Sequence, residues 1–167
     1  MKKSLTLFAL IFSLQLFSQD SLKIIKIVDE MTDKSYILPS KKIVVHNSDK
    51  TKGFSLSAFI EDDFTIKDLK SVAIGFDGCS EKDELIIMFE DSTKIKVVSF
   101  ASFDCKGNSF YTLNDSELDM LATKRIKKLR LMNGRTFDNY TSECKNPTYF
   151  IELFSLCKQK KFILQKK

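Results

Sequence analysis

The chain contains no tryptophan, one histidine, two prolines and five glycines. Each scarcity excludes something. With His46 alone, a histidine-based zinc site would need cysteine or carboxylate ligands at recognisable spacing, and none stands beside it. A Cys–His nucleophile pair would draw on cysteines that serve better as crosslinks. There is no Gly-rich phosphate loop, no Gly-x-Ser-x-Gly elbow and no metalloprotease helix. Beyond residue 16 no apolar run reaches the ~20 residues that a membrane-spanning helix requires. No internal repeat or low-complexity segment is present. The sequence therefore names no catalytic, cofactor-binding or metal-binding residue, and it does not read as an enzyme.

What is present begins at the N-terminus. Lys2 and Lys3 precede an apolar stretch from Leu5 to Leu16, broken only by Thr6, Ser13 and Gln15. Ser18 is a small residue suited to the position before a cleavage site, and Gln19 would become the new N-terminus. The pattern is that of a secretory signal peptide. It predicts a leader over residues 1–18 and an exported domain over residues 19–167, periplasmic or extracellular. No cysteine lies near the cut, which argues against a lipid-anchored form. Of the 27 basic residues, the leader takes Lys2 and Lys3, leaving 25 against 22 acids, a net charge of +3. So mild a balance does not imply nucleic acid as a partner. A protein or an envelope glycan remains open. The mature length allows one ordinary core, and fifteen Phe, several of them in the leader, suggest that Phe fills it.

Four cysteines in an exported chain suit one or two disulfides. Two apolar segments, Leu85–Phe89 and Ile95–Phe100, flank a polar tip. Opposed residues in an antiparallel pair have numbers of constant sum. A three-residue loop at Asp91-Ser92-Thr93 pairs Glu90 with Lys94, Phe89 with Ile95 and Ile87 with Val97. The same register brings Cys79 opposite Cys105, within disulfide reach. Two unpaired, partly buried thiols are the alternative.

Other segments read in order as short strands: Leu22–Val28, Tyr36–Leu38, Ile43–His46, Phe54–Ile60, Lys70–Phe76 with Val72, Ile74 and Phe76 on one face, and Ser109–Leu113. Asn114 and Glu117 have capping-box spacing for a helix ending near Thr123. Ile126–Met132 and Arg135–Thr141 flank Asn133-Gly134, which predicts a type I′ hairpin with Arg130 nearly opposite Phe137. Asn146-Pro147 suggests N-cap and N1 of a last helix, with Tyr149, Phe150, Leu153, Phe154 and Cys157 on its apolar face. That helix places Cys157 about 15 Å from its start, so a Cys144–Cys157 bridge and a full helix nearly exclude each other. The tail beyond Leu164 reads as loose. The expected fold is α+β, mainly antiparallel sheet built of hairpins, with a short helix and a C-terminal helix packed on the sheet.

The remaining charged groups read as surface. Glu61-Asp62-Asp63 lacks the spaced acids and glycine of a calcium loop. Lys124, Arg125, Lys127, Lys128 and Arg130 form a basic cluster without the interleaved aromatics of a nucleic-acid platform.

Phe17-Ser18-Gln19, Asp83-Glu84-Leu85-Ile86-Ile87 running into Phe89-Glu90-Asp91, the segment from Phe103 to Gly107, and Asn133-Gly134-Arg135-Thr136-Phe137 carry a resemblance. From Gly75 to Phe154 the chain resembles a group of uncharacterised secreted proteins of Bacteroidota, a group with no established activity. Asp20-Ser21-Leu22 and Asp91-Ser92-Thr93 are similar to the three-residue O-glycosylation signal of that phylum, which implies Ser21 and Ser92 as acceptors. The functional expectation is an exported, disulfide-stabilised, non-catalytic binding or accessory domain. The alternatives are a periplasmic inhibitor or immunity-type protein that blocks a partner enzyme or toxin and, third, a hydrolase assembled from scattered acids and His46.

Overall fold

The structure, a computed structural model, describes residues 21–76, 79, 81–100 and 104–166. The expected leader therefore lies outside the described residues. Among those described, eleven strands and two helices form an α+β fold dominated by antiparallel sheet. In order they are β1 (Ile24–Asp29), β2 (Lys34–Pro39), β3 (Ile43–His46), β4 (Gly53–Ile60), β5 (Ile66–Ile74), β6 (Glu84–Phe89), β7 (Lys94–Val98), β8 (Asn108–Thr112), α1 (Asp115–Thr123), β9 (Ile126–Met132), β10 (Asn139–Glu143), α2 (Tyr149–Lys158) and β11 (Phe162–Lys166).

A large sheet runs β11-β1-β2-β4-β5-β8, with β3 joining β2 along the same edge of β4. A smaller sheet runs β10-β9-β6-β7. Both turn one face to a common core. Because side chains alternate across a strand, the registers stack buried residues in rows. Ala58, Leu69 and Tyr111 form such a row in the large sheet, and Val97, Leu85 and Leu131 in the small one. Helix α2 closes the core with Tyr149, Phe150, Leu153 and Cys157, all buried. Each fully buried side chain of this size contributes about 1.5–3 kcal/mol relative to exposure. Helix α1 packs on α2 and starts at the capping box expected from Asn114 and Glu117.

Five local expectations are corrected. Ile87 pairs with Ile95 and Leu85 with Val97, two residues away from the anticipated β6–β7 register. The loop is Glu90-Asp91-Ser92, because Asp91 accepts from the Thr93 amide and hydroxyl and Ser92 adopts a left-handed φ of 68°. Glu90 consequently pairs with Arg125 at 3.1 Å, not with Lys94.

Asn133-Gly134 does not make a two-residue hairpin turn. The Asn133 side-chain oxygen accepts from the amides of Arg135 and Thr136, and six residues separate β9 from β10. Arg130 then faces Thr141 and donates to its hydroxyl at 2.7 Å, leaving Phe137 exposed.

Strand β5 begins at Ile66 instead of Lys70 and ends at Ile74; Val72 and Ile74 do share a face, the outer one, opposite buried Leu69 and Ser71. Helix α2 begins after Thr148. Asn146-Pro147 instead forms the turn before it, where the Pro147 carbonyl accepts from the Ile126 amide. The tail is not loose: Phe162–Lys166 pairs in parallel with β1, which no local signal announced.

Candidate functional site

Two regions hold chemistry or surface that packing alone does not require. The first is the loop end around Cys79 and Cys105, which the structure joins in a disulfide with Cα atoms 4.0 Å apart. The β6–β7 register does not extend to this pair, since its sum would set Cys79 opposite residue 103. The bridge instead ties the chain before β6 to the chain before β8.

Beside it Asp83 is 1% exposed. Its Oδ2 accepts from Ser109 Oγ at 2.8 Å, and its Oδ1 accepts from the amides of Gly134 at 3.1 Å and Glu81 at 3.3 Å. Its own amide donates to Ser99 Oγ, and its carbonyl accepts from the Ser99 amide. A buried carboxylate needs such partners to offset its desolvation. One residue thus joins the starts of β6 and β8 and the β9–β10 loop through its side chain, and the end of β7 through its backbone.

Next to Ser109 lies a second buried pair, Ser71 Oγ and the Tyr111 hydroxyl, 3.0 Å apart. Burial pushes the Tyr111 phenol well above its ordinary range, the hydroxyls of Ser71 and Ser109 pull it down, and the negative charge on Asp83 raises it further. Tyr111 therefore stays protonated and acts as a hydrogen-bonding group, not a base. Gly134 fits here because it lacks a side chain: a Cβ would lie 2.2 Å from the Glu81 carbonyl oxygen. A polar cleft of about 150 Å³ opens nearby, lined by Gly75, Phe76, Cys105, Lys106, Gly107 and Asn133. Asp83 is sealed by its donors, so this end of the molecule reads as a clamp.

The second region is the outer face of the large sheet. Ile163 pairs with Ile25 and Ile25 with Leu38, while the Ile37–Ile60 pair sets Leu38 beside Phe59. An apolar row thus crosses four adjacent strands. Ile27 and Tyr36 form the next row. Ile163, Leu38, Tyr36 and Phe59 are 44%, 47%, 50% and 50% exposed. A groove of about 430 Å³ runs along Tyr36, Leu38 and Phe59 where β2 and β4 diverge, ending at Glu61 and Asp62.

The groups singled out from the sequence are dispersed. His46 Nδ1 donates to the Asn47 carbonyl oxygen at 2.8 Å, a contact within its own loop. In the acidic turn, Asp63 binds the Thr65 hydroxyl and amide, which hold its carboxyl below the usual range, and Glu61 pairs with Lys67 at 2.9 Å. In the basic cluster, Lys124 meets Asp91 at 2.7 Å and Lys128 meets Glu143 at 3.0 Å. Cys144 donates to the Asn146 carbonyl, and both Cys144 and Cys157 are free thiols. Ser21 and Ser92 are exposed.

Among the described residues no group of three or more His, Cys, Asp and Glu could hold a metal ion, and no helix is long and apolar enough to cross a membrane. Comparison with protein-family models, with curated proteins and with solved structures finds no match to this chain.

Proposed function

We propose that the chain is an exported, disulfide-stabilised binding or accessory domain without catalytic chemistry, working in the periplasm or beyond it. The observation that carries this reading is the apolar row Ile163–Ile25–Leu38–Phe59 on the outer face of the large sheet. A run of large apolar side chains left half-exposed across four strands costs solubility and marks a contact surface. The Cys79–Cys105 bridge supports the export reading, because a crosslink of this kind persists in an oxidising compartment. The test is capture by the immobilised, oxidised protein from cell-envelope extract, with Leu38→Asp run in parallel. The expected result is a stoichiometric bound component that the variant loses. Equal capture by a folded variant removes the outer face as the working surface.

Ser92 and Ser21 are read here as O-glycan acceptors. What favours Ser92 is its exposed place in the turn between β6 and β7. An intact mass equal to that of the unmodified exported polypeptide would end this reading.

A further inference from the structure

The outer face has a polarity that the apolar row alone does not explain. Along β1 its outward positions run Lys23, Ile25, Ile27, Asp29, a cation, two apolar groups and an anion on one side of one strand. Six residues at ~3.4 Å set the two charges about 20 Å apart. That exceeds the Debye length of about 8–10 Å, so the ends do not neutralise each other.

The neighbouring strands repeat the pattern. At the Lys23 end, Lys161 leads into β11 beside it, and Lys42 is exposed just ahead of β3. At the Asp29 end, the β1–β2 turn adds Asp33 and the β4–β5 turn adds Glu61, Asp62 and Asp63. Lys34 opposite Asp29 and Lys67 against Glu61 temper this end without reversing its sign.

We propose that the occupant of this face is a second copy of the same chain, related by a two-fold axis that lies between the two facing sheets, parallel to them and along the apolar row. This rests on the reading that the outer face is the binding surface. A half-turn about that axis lays the apolar row of one copy on that of the other. It also sets the lysine end of each over the acidic end of its partner, twice over. A foreign partner would have to supply the same gradient in reverse, whereas a second copy supplies it by symmetry, the self-complementarity of an isologous interface. Two sheets stacked face to face sit about 10 Å apart. The patch is about 14 Å wide, three strand spacings of ~4.8 Å, which makes a small interface and a reversible dimer.

The test is sedimentation equilibrium of the oxidised protein purified after export, from about 1 µM to about 1 mM, the range in which a small interface dissociates. The expected result is a concentration-dependent dimer that weakens several-fold as salt is raised. Leu38→Asp should weaken it at least ~100-fold, as expected for a central apolar contact, and Phe59→Ser provides the same reading if Leu38→Asp fails to fold by circular dichroism. Lys23→Glu and Asp62→Lys should each weaken self-association about tenfold, in line with like-charge contacts. An equimolar mixture of the two should recover dimer, because each then meets its opposite. A monomer throughout the range, or folded Leu38→Asp and Phe59→Ser that dimerise like the parent, overturns the proposal. If the parent is monomeric yet Leu38→Asp loses an envelope component, the binding face stands and the second copy does not. If neither changes, both readings fall.

Discussion

Replacing Asp83 tests whether the loop end is held as a clamp. In Asp83→Ala the Ser109 hydroxyl and the Gly134 amide lose a charged acceptor at 2.8 and 3.1 Å, and the Glu81 amide loses a longer contact at 3.3 Å. Hydrogen bonds to a charged group are worth about 1.5–3 kcal/mol each. The two short ones therefore set a loss of about 3–6 kcal/mol, reduced because a buried anion no longer has to be desolvated. The Ser109 hydroxyl can also turn toward neighbouring oxygens, whereas the Gly134 amide belongs to a backbone segment packed so closely on the Glu81 and Lys82 carbonyls that no Cβ would fit there. The expected net cost is about 3–5 kcal/mol for Asp83→Ala. Asp83→Asn keeps the shape and one acceptor but turns an amide NH2 toward a donor, and should cost about 1–3 kcal/mol. Urea unfolding at pH 7, followed by far-ultraviolet circular dichroism, measures both through the midpoint at unchanged slope. A cycle with Ser109→Ala should give a coupling of about 1–2 kcal/mol, as for residues in one hydrogen-bond network. A cost for Asp83→Ala below ~1 kcal/mol, within the range of ordinary surface changes, would refute the clamp.

Three further outcomes follow from the same structure. Cys79→Ser with Cys105→Ser opens a loop closed over a separation of 26 residues, which in the chain-entropy treatment removes about 3.5 kcal/mol; chemical denaturation of oxidised parent and variant measures it, and a loss under ~1 kcal/mol contradicts a constraint of that length. Burial pushes the Cys157 thiol up to about 11 and also raises Cys144, so both stay protonated at neutral pH, and the stability that Cys157 contributes is present below pH 9.0 and is lost as pH rises through about 11. Disulfide-exchange reagents at neutral pH should label Cys157 only as fast as the protein unfolds, whereas two thiols per chain should react at once in denaturant. Lys124 first, then the Thr93 hydroxyl and amide, hold Asp91 down to about 2. Its contribution is therefore complete above the ordinary value of 3.8 and is lost as pH falls through about 2. A carboxyl-carbon NMR titration should show this low midpoint, Lys124→Met should raise it, and a midpoint near 3.8 in the parent would count against the contact.

Much of the fold followed from local pattern. Strand β3 and strand β9 have the bounds that apolar alternation indicates, and α1 has the cap that Asn114 and Glu117 specify, because those signals act within a few residues. Cys157 falls on the buried side of α2 for the same reason, since helical spacing settles which face is apolar. The pairing of Cys79 with Cys105 was also reached, although the register used to reach it was displaced by two residues. The ladder ends before the cysteines, and the loops beyond it bring them together.

The candidate sites were far less legible. Asp83 looks in sequence like an ordinary acid before a strand, and nothing local links it to Ser109, 26 residues later, or to Gly134, 51 residues later. The same holds for Ile25, Leu38, Phe59 and Ile163, which alternate correctly within their own strands but form one row only once four strands are aligned.

The sequence by itself determined the short-range choices: which segments extend, where α1 begins, which face of α2 is buried, and the charge order along β1. Each depends on side-chain periodicity or capping over a few residues. Only the tertiary structure decided that Asn133-Gly134 would close on Asp83 instead of making a tight hairpin, that the basic tail would become β11, and that an apolar row would be left facing outward. Those outcomes depend on which strands become neighbours, and that is settled by the free energy of the whole core, in which a distant carboxylate or a parallel partner outweighs a local turn preference.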